Sequence, residues 1–123
     1  MYKIVKRTVV SNSHRLELPY ESKCKNMHGH NHVITVEIEG PVLNAEGMLI
    51  DFKRIDEVVN QLDHCCLNDV LPHNPTAENI AFWVANQIDF AITKEWKGLT
   101  IQPSPVKVTV EEVEGNTAIW ENR

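Results

Sequence analysis

The chain of 123 residues has no long apolar run: no window approaches the roughly 18 residues of a membrane span. Its basic start, Met1 to Arg7, is not followed by an uninterrupted apolar stretch, so no signal peptide is expected. Cysteine is scarce and odd in number. Of the three, Cys65 and Cys66 are adjacent, which makes a poor disulfide framework and suits a reducing, cytoplasmic compartment. Positive charge is not in excess: 12 Lys and Arg against 17 Asp and Glu give a net charge of -5. That weighs against a nucleic-acid surface, because backbone phosphates demand a basic face. It leaves small anionic substrates open, since these need only a local positive cluster or a metal. Internal repeats and low-complexity tracts are also missing. The length fits a single domain over residues 1–123, which buries about two-thirds of its unfolded surface and needs no disulfide or metal staple.

What is present is periodic. Tyr2 to Val10 is rich in β-branched residues and reads as a strand. Ile34, Val36 and Ile38 alternate with Thr35, Glu37 and Glu39, a half-buried strand ended by Gly40-Pro41. Asp51 is placed to cap a helix of about ten residues with Ile55, Val58, Val59 and Leu62 on one face. A second helix begins near Thr76, with Ile80, Trp83, Val84, Gln87, Ile88 and Ala91 at the 3.6-residue period. Pro103 and Pro105 punctuate a loop. Val106, Val108 and Val110 then predict a third strand, Gly115-Asn116 a turn, and Thr117 to Trp120 a short fourth strand. The order ββααββ predicts an α+β fold: an antiparallel four-stranded sheet with two helices on one face. So thin a layer leaves edges and an apolar side that an oligomer could hide.

The histidines are the clearest chemical signal. His28 and His30 flank Gly29 at the start of the second strand, and in extended chain residues two apart point to the same side. His14 lies at the far end of the first strand, so a hairpin would bring it back beside them. Three neutral imidazoles suit zinc, and a fourth position left open suits catalysis rather than structure. The alternative is unconnected surface histidines. His32 shares the parity of His28 and His30 and reads as packing or as support for the ligands.

Cys24 sits four residues before His28 in a polar loop. Lys23 and Lys25 beside it favour a thiolate, able to act as base or nucleophile; the other role for a lone cysteine is a small buried hydrophobe. Asp63-His64 can act as a relay in which the acid sets the imidazole's tautomer, or His64 can be a helix-end cation. Cys65 and Cys66 read as core or helix-end residues. Glu112 shares the parity of Val106, Val108 and Val110, which makes it either a pocket residue or a sign of a different register. A carboxylate there can accept two hydrogen bonds from a paired N–H edge of a heterocycle.

These residues resemble a known family. Cys24-Lys25-Asn26-Met27-His28-Gly29-His30-Asn31 is similar to the Cys-x-x-x-His-Gly-His motif of the 6-pyruvoyltetrahydropterin synthase family. Its spacing resembles the branch that makes 6-carboxy-5,6,7,8-tetrahydropterin for queuosine. Gly47 to Phe52, Leu62-Asp63-His64 with Leu67-Asn68, Pro75 to Asn79, and Val108 to Glu112 resemble four further motifs, in order along nearly the whole chain.

The resemblance implies a tunnelling fold (T-fold) and a homohexamer of two trimers with active sites at subunit interfaces. It implies zinc on His14, His28 and His30, a catalytic thiol at Cys24, a proton relay of Asp63 and His64, and Glu112 as the pterin anchor. The implied reaction converts 7,8-dihydroneopterin triphosphate to 6-carboxy-5,6,7,8-tetrahydropterin, releasing acetaldehyde and triphosphate. The alternatives are 6-pyruvoyltetrahydropterin synthesis, which keeps the carbon side chain, and a zinc-stabilised, non-catalytic pterin-binding subunit. Three departures bear on pterin binding: Val10 to Ser13 replace a Phe-Ser-Ala-type segment, His32 replaces an aromatic, and Val113 replaces a threonine.

Overall fold

Alternating burial sets the sheet. In the computed structural model, which describes residues 1–123, the strands are β1 (Tyr2–His14), β2 (His28–Gly40), β3 (Ser104–Val113) and β4 (Asn116–Glu121). They form one antiparallel sheet in the order β1-β2-β3-β4. Val10, Ile34, Val36, Ile38, Val108 and Val110 point to one face and are essentially sealed from solvent. Helices α1 (Phe52–Val59) and α2 (Ala77–Glu95) lie between β2 and β3 in sequence and supply the other half of the core through Ile55, Val59, Ile80, Val84, Ile88 and Ile92. The expected ββααββ order and antiparallel sheet are therefore present.

Boundaries differ from the sequence reading where pairing overrides local propensity. β1 runs four residues beyond Val10, through Ser11, Asn12 and Ser13 to His14, because His28 to Asn31 lie opposite as partners. Pro105 is inside β3 rather than in a loop. It pairs with Ile38 at an irregularity between Glu37 and Ile38, where a bulge tolerates the missing N–H. α1 is eight residues long, and its last turn tightens into a 3-10 turn over Asn60–Leu62. Asp51 caps α1 as expected, accepting from Lys53 N–H, and α2 begins after Thr76, whose hydroxyl accepts from Asn79 N–H.

The chain leaving β1 is held by side chains rather than by a strand. The Asn68 amide takes both backbone groups of Arg15 at 2.9 Å each, and Asn74 does the same for Glu17. Just before this, Ser11 and Ser13 are bonded on the outer edge of β1 by residues 63–65. The face of the sheet away from the helices remains open. Val5, Val9 and Ile119 are each about half exposed there, and Lys3 bridges Glu37 and Glu39.

Gly40 ends β2 in a buried position with no room for a side chain. A Cβ there would lie 2.8 Å from Leu49 Cδ2 and 3.2 Å from Pro103 Cα, both buried neighbours. Gly40→Ala is expected to destabilise by about 1–3 kcal/mol through overpacking, measured as a shift in urea midpoint at constant m-value.

Candidate metal centre and active site

The β1/β2 register sets His14 opposite His28, Asn12 opposite His30 and Val10 opposite His32. His28, His30 and His32 continue the row of Ile34, Val36 and Ile38 on the helix-facing side, so one strand face changes from apolar core to imidazole. The rings of His14, His28 and His30 lie 4.6–5.1 Å apart, and one nitrogen from each falls within 4.8 Å of the other two.

Hydrogen bonds orient these rings. His14 Nδ1–H donates to the Pro75 carbonyl at 2.8 Å, and His28 Nδ1–H donates to the Asn26 carbonyl at 2.6 Å. A carbonyl only accepts, so Nδ1 holds the proton and Nε2 presents its lone pair. Nε2 of His14 and of His30 is buried without a hydrogen-bond partner in the chain. Burial, more than the neighbouring imidazoles, keeps the pKa of His14 below the ordinary value. Convergent ring nitrogens, those of His14 and His30 buried without a hydrogen bond, fit a metal ion. The sequence reading missed the supports: Pro75 just before the α2 cap, and Asn26 at the end of the 3-10 turn Lys23–Lys25. Main-chain acceptors leave no mark in a side-chain pattern.

Glu112 follows the Val108 and Val110 row and brings Oε1 to 3.3 Å from His30 Nε2. Cys24 lies on the 3-10 turn, partly buried, with its N–H donating to Ser22 Oγ and its carbonyl accepting from Leu16. Cys24 and Glu112 line one open cleft of about 570 Å³, together with Thr76 and Glu78 from the start of α2. That volume is in the range of small-molecule sites.

Asp63 and His64 face each other at 2.7 Å because His64 adopts a φ of 53°, which folds its ring back on its neighbour. The Asp63 carboxylate also accepts from Ser11 N–H at 2.8 Å. That bond, ahead of the one to His64, lowers its pKa. The pair is tethered to the free edge of β1, with the His64 side chain 84% exposed and absent from the ring contacts among the clustered imidazoles. A single chain thus separates the expected residues: Glu112 and Cys24 line the cleft, His14, His28 and His30 cluster behind it with His30 beside Glu112, and Asp63 with His64 lies at the edge. Cys65 packs against the core, and burial raises its thiol pKa.

A model of the 6-pyruvoyl tetrahydropterin synthase family matches residues 3–123. The chain belongs to this family. A Pyrococcus horikoshii protein provisionally named 6-carboxy-5,6,7,8-tetrahydropterin synthase is 52% identical over 66 residues, covering 50% of this chain and 41% of the relative. The dihydroneopterin monophosphate aldolase of Pyrococcus furiosus is 40% identical over 68 residues, covering 52% of this chain and 57% of the relative. The aligned part is thus under two-thirds of the length of either relative. The Caenorhabditis elegans 6-pyruvoyl tetrahydropterin synthase superposes with a TM-score of 0.75 at 24% identity, covering 99% of this chain and 96% of that one. The architecture is the T-fold of these synthases.

The fourth histidine of the cluster differs from a generic core residue. His32 is fully buried, and its pKa is lowered to about 4, by burial first and by His14, His30 and His28 after it. In the metal-free protein the unfolded chain therefore takes up a proton near pH 6.5 that the folded chain refuses until about pH 4. Stability is full above pH 6.5 and falls as the pH drops toward 4. The loss due to His32 is expected to reach about 2 kcal/mol at pH 5. Urea denaturation of chelator-treated protein at pH 7 and pH 5 should show this loss, and His32→Phe should reduce it.

Proposed function

We propose that this chain is a zinc-dependent carbon–carbon lyase converting 7,8-dihydroneopterin triphosphate to 6-carboxy-5,6,7,8-tetrahydropterin, with release of acetaldehyde and triphosphate, in queuosine biosynthesis. The observation that carries this reading is the convergence of one ring nitrogen from each of three histidines, with His30 beside the Glu112 that lines a cleft together with Cys24. The name of the Pyrococcus horikoshii relative supports the same product.

His14, His28 and His30 would hold the ion. Zinc there supplies Lewis acidity toward the oxygens of a bound side chain. Glu112 anchors the pterin, accepting two hydrogen bonds from its paired N–H edge. Cys24 exchanges a proton with the substrate side chain from the cleft wall. His64 serves as the second proton carrier: Asp63 holds its Nδ1–H, leaving Nε2 free to take a proton.

His64 is largely exposed, held by Asp63 on the outer edge of β1, and does not line its own cleft, so a neighbouring copy would have to bring the relay to the site. A homohexamer of two trimers with interfacial sites accounts for this. It also covers the two sheet edges and the open sheet face. Residues 1–123 act in this reading as one 6-pyruvoyltetrahydropterin synthase-like domain in the cytoplasm. None of its helices is long and apolar enough to cross a membrane.

Two neighbouring reactions use the same parts. A 6-pyruvoyl synthase keeps the carbon side chain. The Pyrococcus furiosus relative makes dihydroneopterin monophosphate a substrate to test alongside the triphosphate. Mass spectrometry of the product formed by zinc-loaded protein separates them. A 6-carboxy product with acetaldehyde is expected; a 6-pyruvoyl product, or turnover of the monophosphate alone, rejects the proposal. Cys24→Ala is expected to keep its metal and lose roughly 10²–10⁴-fold in kcat. Undiminished turnover in that variant would remove the thiol from the mechanism.

A further inference from the structure

The clustered imidazoles form two overlapping groups. Nitrogen atoms of His14, His28 and His30 lie within 4.8 Å of one another, and so do the ligand atoms of His14, His32 and Glu112. We propose that these are two alternative seats for one metal ion, hinged on His14, and that His32 is a metal ligand in its own right.

His32 has the features of a prepared ligand. Its Nδ1–H donates to Asn12 Oδ1 at 2.8 Å, and the Asn12 amide donates to the Leu62 carbonyl at 2.9 Å. The second bond fixes which end of Asn12 accepts, and so fixes the His32 tautomer. The Nε2 lone pair is turned inward, fully buried, with no hydrogen-bond partner in the chain. Leaving such an atom unsatisfied is destabilising, a cost a phenyl ring in the same place would avoid. A cation at Nε2 removes it. Two imidazoles and a carboxylate form a common divalent-metal set. Glu112 enters it because continuing the β2/β3 register beyond Val33 and Glu111 sets residue 112 alongside His32.

The groups cannot both be filled. His14 Nδ1–H is committed to the Pro75 carbonyl, so His14 has a single lone pair to give, at Nε2. One ion per chain follows, with an outer seat against His28 and His30 and an inner seat against His32 and Glu112. In the inner seat the ion occupies the carboxylate that the pterin needs, so the inner seat is a resting position and the outer one the working position. That assignment rests on the function proposed above; the existence of the two seats can be tested without turnover.

The test is metal binding by wild type, His28→Ala, and His28→Ala combined with His32→Phe or with Glu112→Gln. Cobalt(II) and zinc are titrated, bound metal is measured after gel filtration, and folding is followed by circular dichroism. Wild type should bind one equivalent. His28→Ala should still bind one, more weakly by at least the roughly 10–100-fold that even indirect changes around a metal cost, and with an altered cobalt absorption band. Both double variants should lose it. Folded His28→Ala without metal, double variants that bind as tightly as His28→Ala, or two equivalents in wild type would overturn the inference. Metal in wild type but none in His28→Ala defeats only the two-seat model. No metal in folded wild type defeats the metal reading as well.

Discussion

The site depends on one constraint, the antiparallel register of β1 against β2. With His14 paired to His28, two strand ends deliver three rings to one point. Because side chains alternate with a period of two, a slip of one residue would send His14 to the open face while His28 and His30 stayed on the core side. The register is held by the buried row behind the histidines: Ile34, Val36 and Ile38 must face α1 and α2. The apolar core and the polar centre are therefore successive stretches of one strand face, and core packing positions the chemistry.

The supports of the centre are main-chain groups from elements with other duties. Pro75, which fixes His14, immediately precedes the Thr76 cap of α2, and that helix packs against the sheet. Asn26, which fixes His28, closes the short turn that carries Cys24. Movement of either element would reorient a ring. Neutral, buried imidazoles are costly in an unligated protein, since their lone pairs go unused and they resist protonation as the medium turns acid. The fold accepts that cost at His14 and His32, and an ion bound there would return part of it.

Much of this was legible in the sequence because it depends on short-range periodicity. The alternation of Ile34 to Glu39, the Asp51 cap, the helix start near Thr76, and the spacing of His28 and His30 each report directly on local geometry. Local propensity ends β1 near Val10, and only the histidine spacing placed His14 at its far end: Ser11, Asn12 and Ser13 have poor strand propensity and are extended because β2 lies opposite. Pro105 entering β3 depends on a bulge in that strand at Val106, set by how β3 pairs with Glu37 and Ile38 of β2, information carried by another part of the chain. The role of Asn12 was hidden for a similar reason, since its amide connects His32 to Leu62, 50 residues away from its own position. The closeness of Asp63 and His64 depends on a left-handed backbone at a non-glycine residue, which composition does not announce.

The amide clamps on the segment after β1 also determine how much of that strand is offered to the outside. Ser11 and Ser13 are already bonded on the outer side by residues 63–65, and Arg15 and Glu17 have both backbone groups taken by Asn68 and Asn74. Only the outward-facing groups between Lys3 and Val9 are left to pair. The open edge of β1 therefore has a defined length and a built-in end stop. Any strand laid along it would meet the Asp63-His64 turn at the end of its travel.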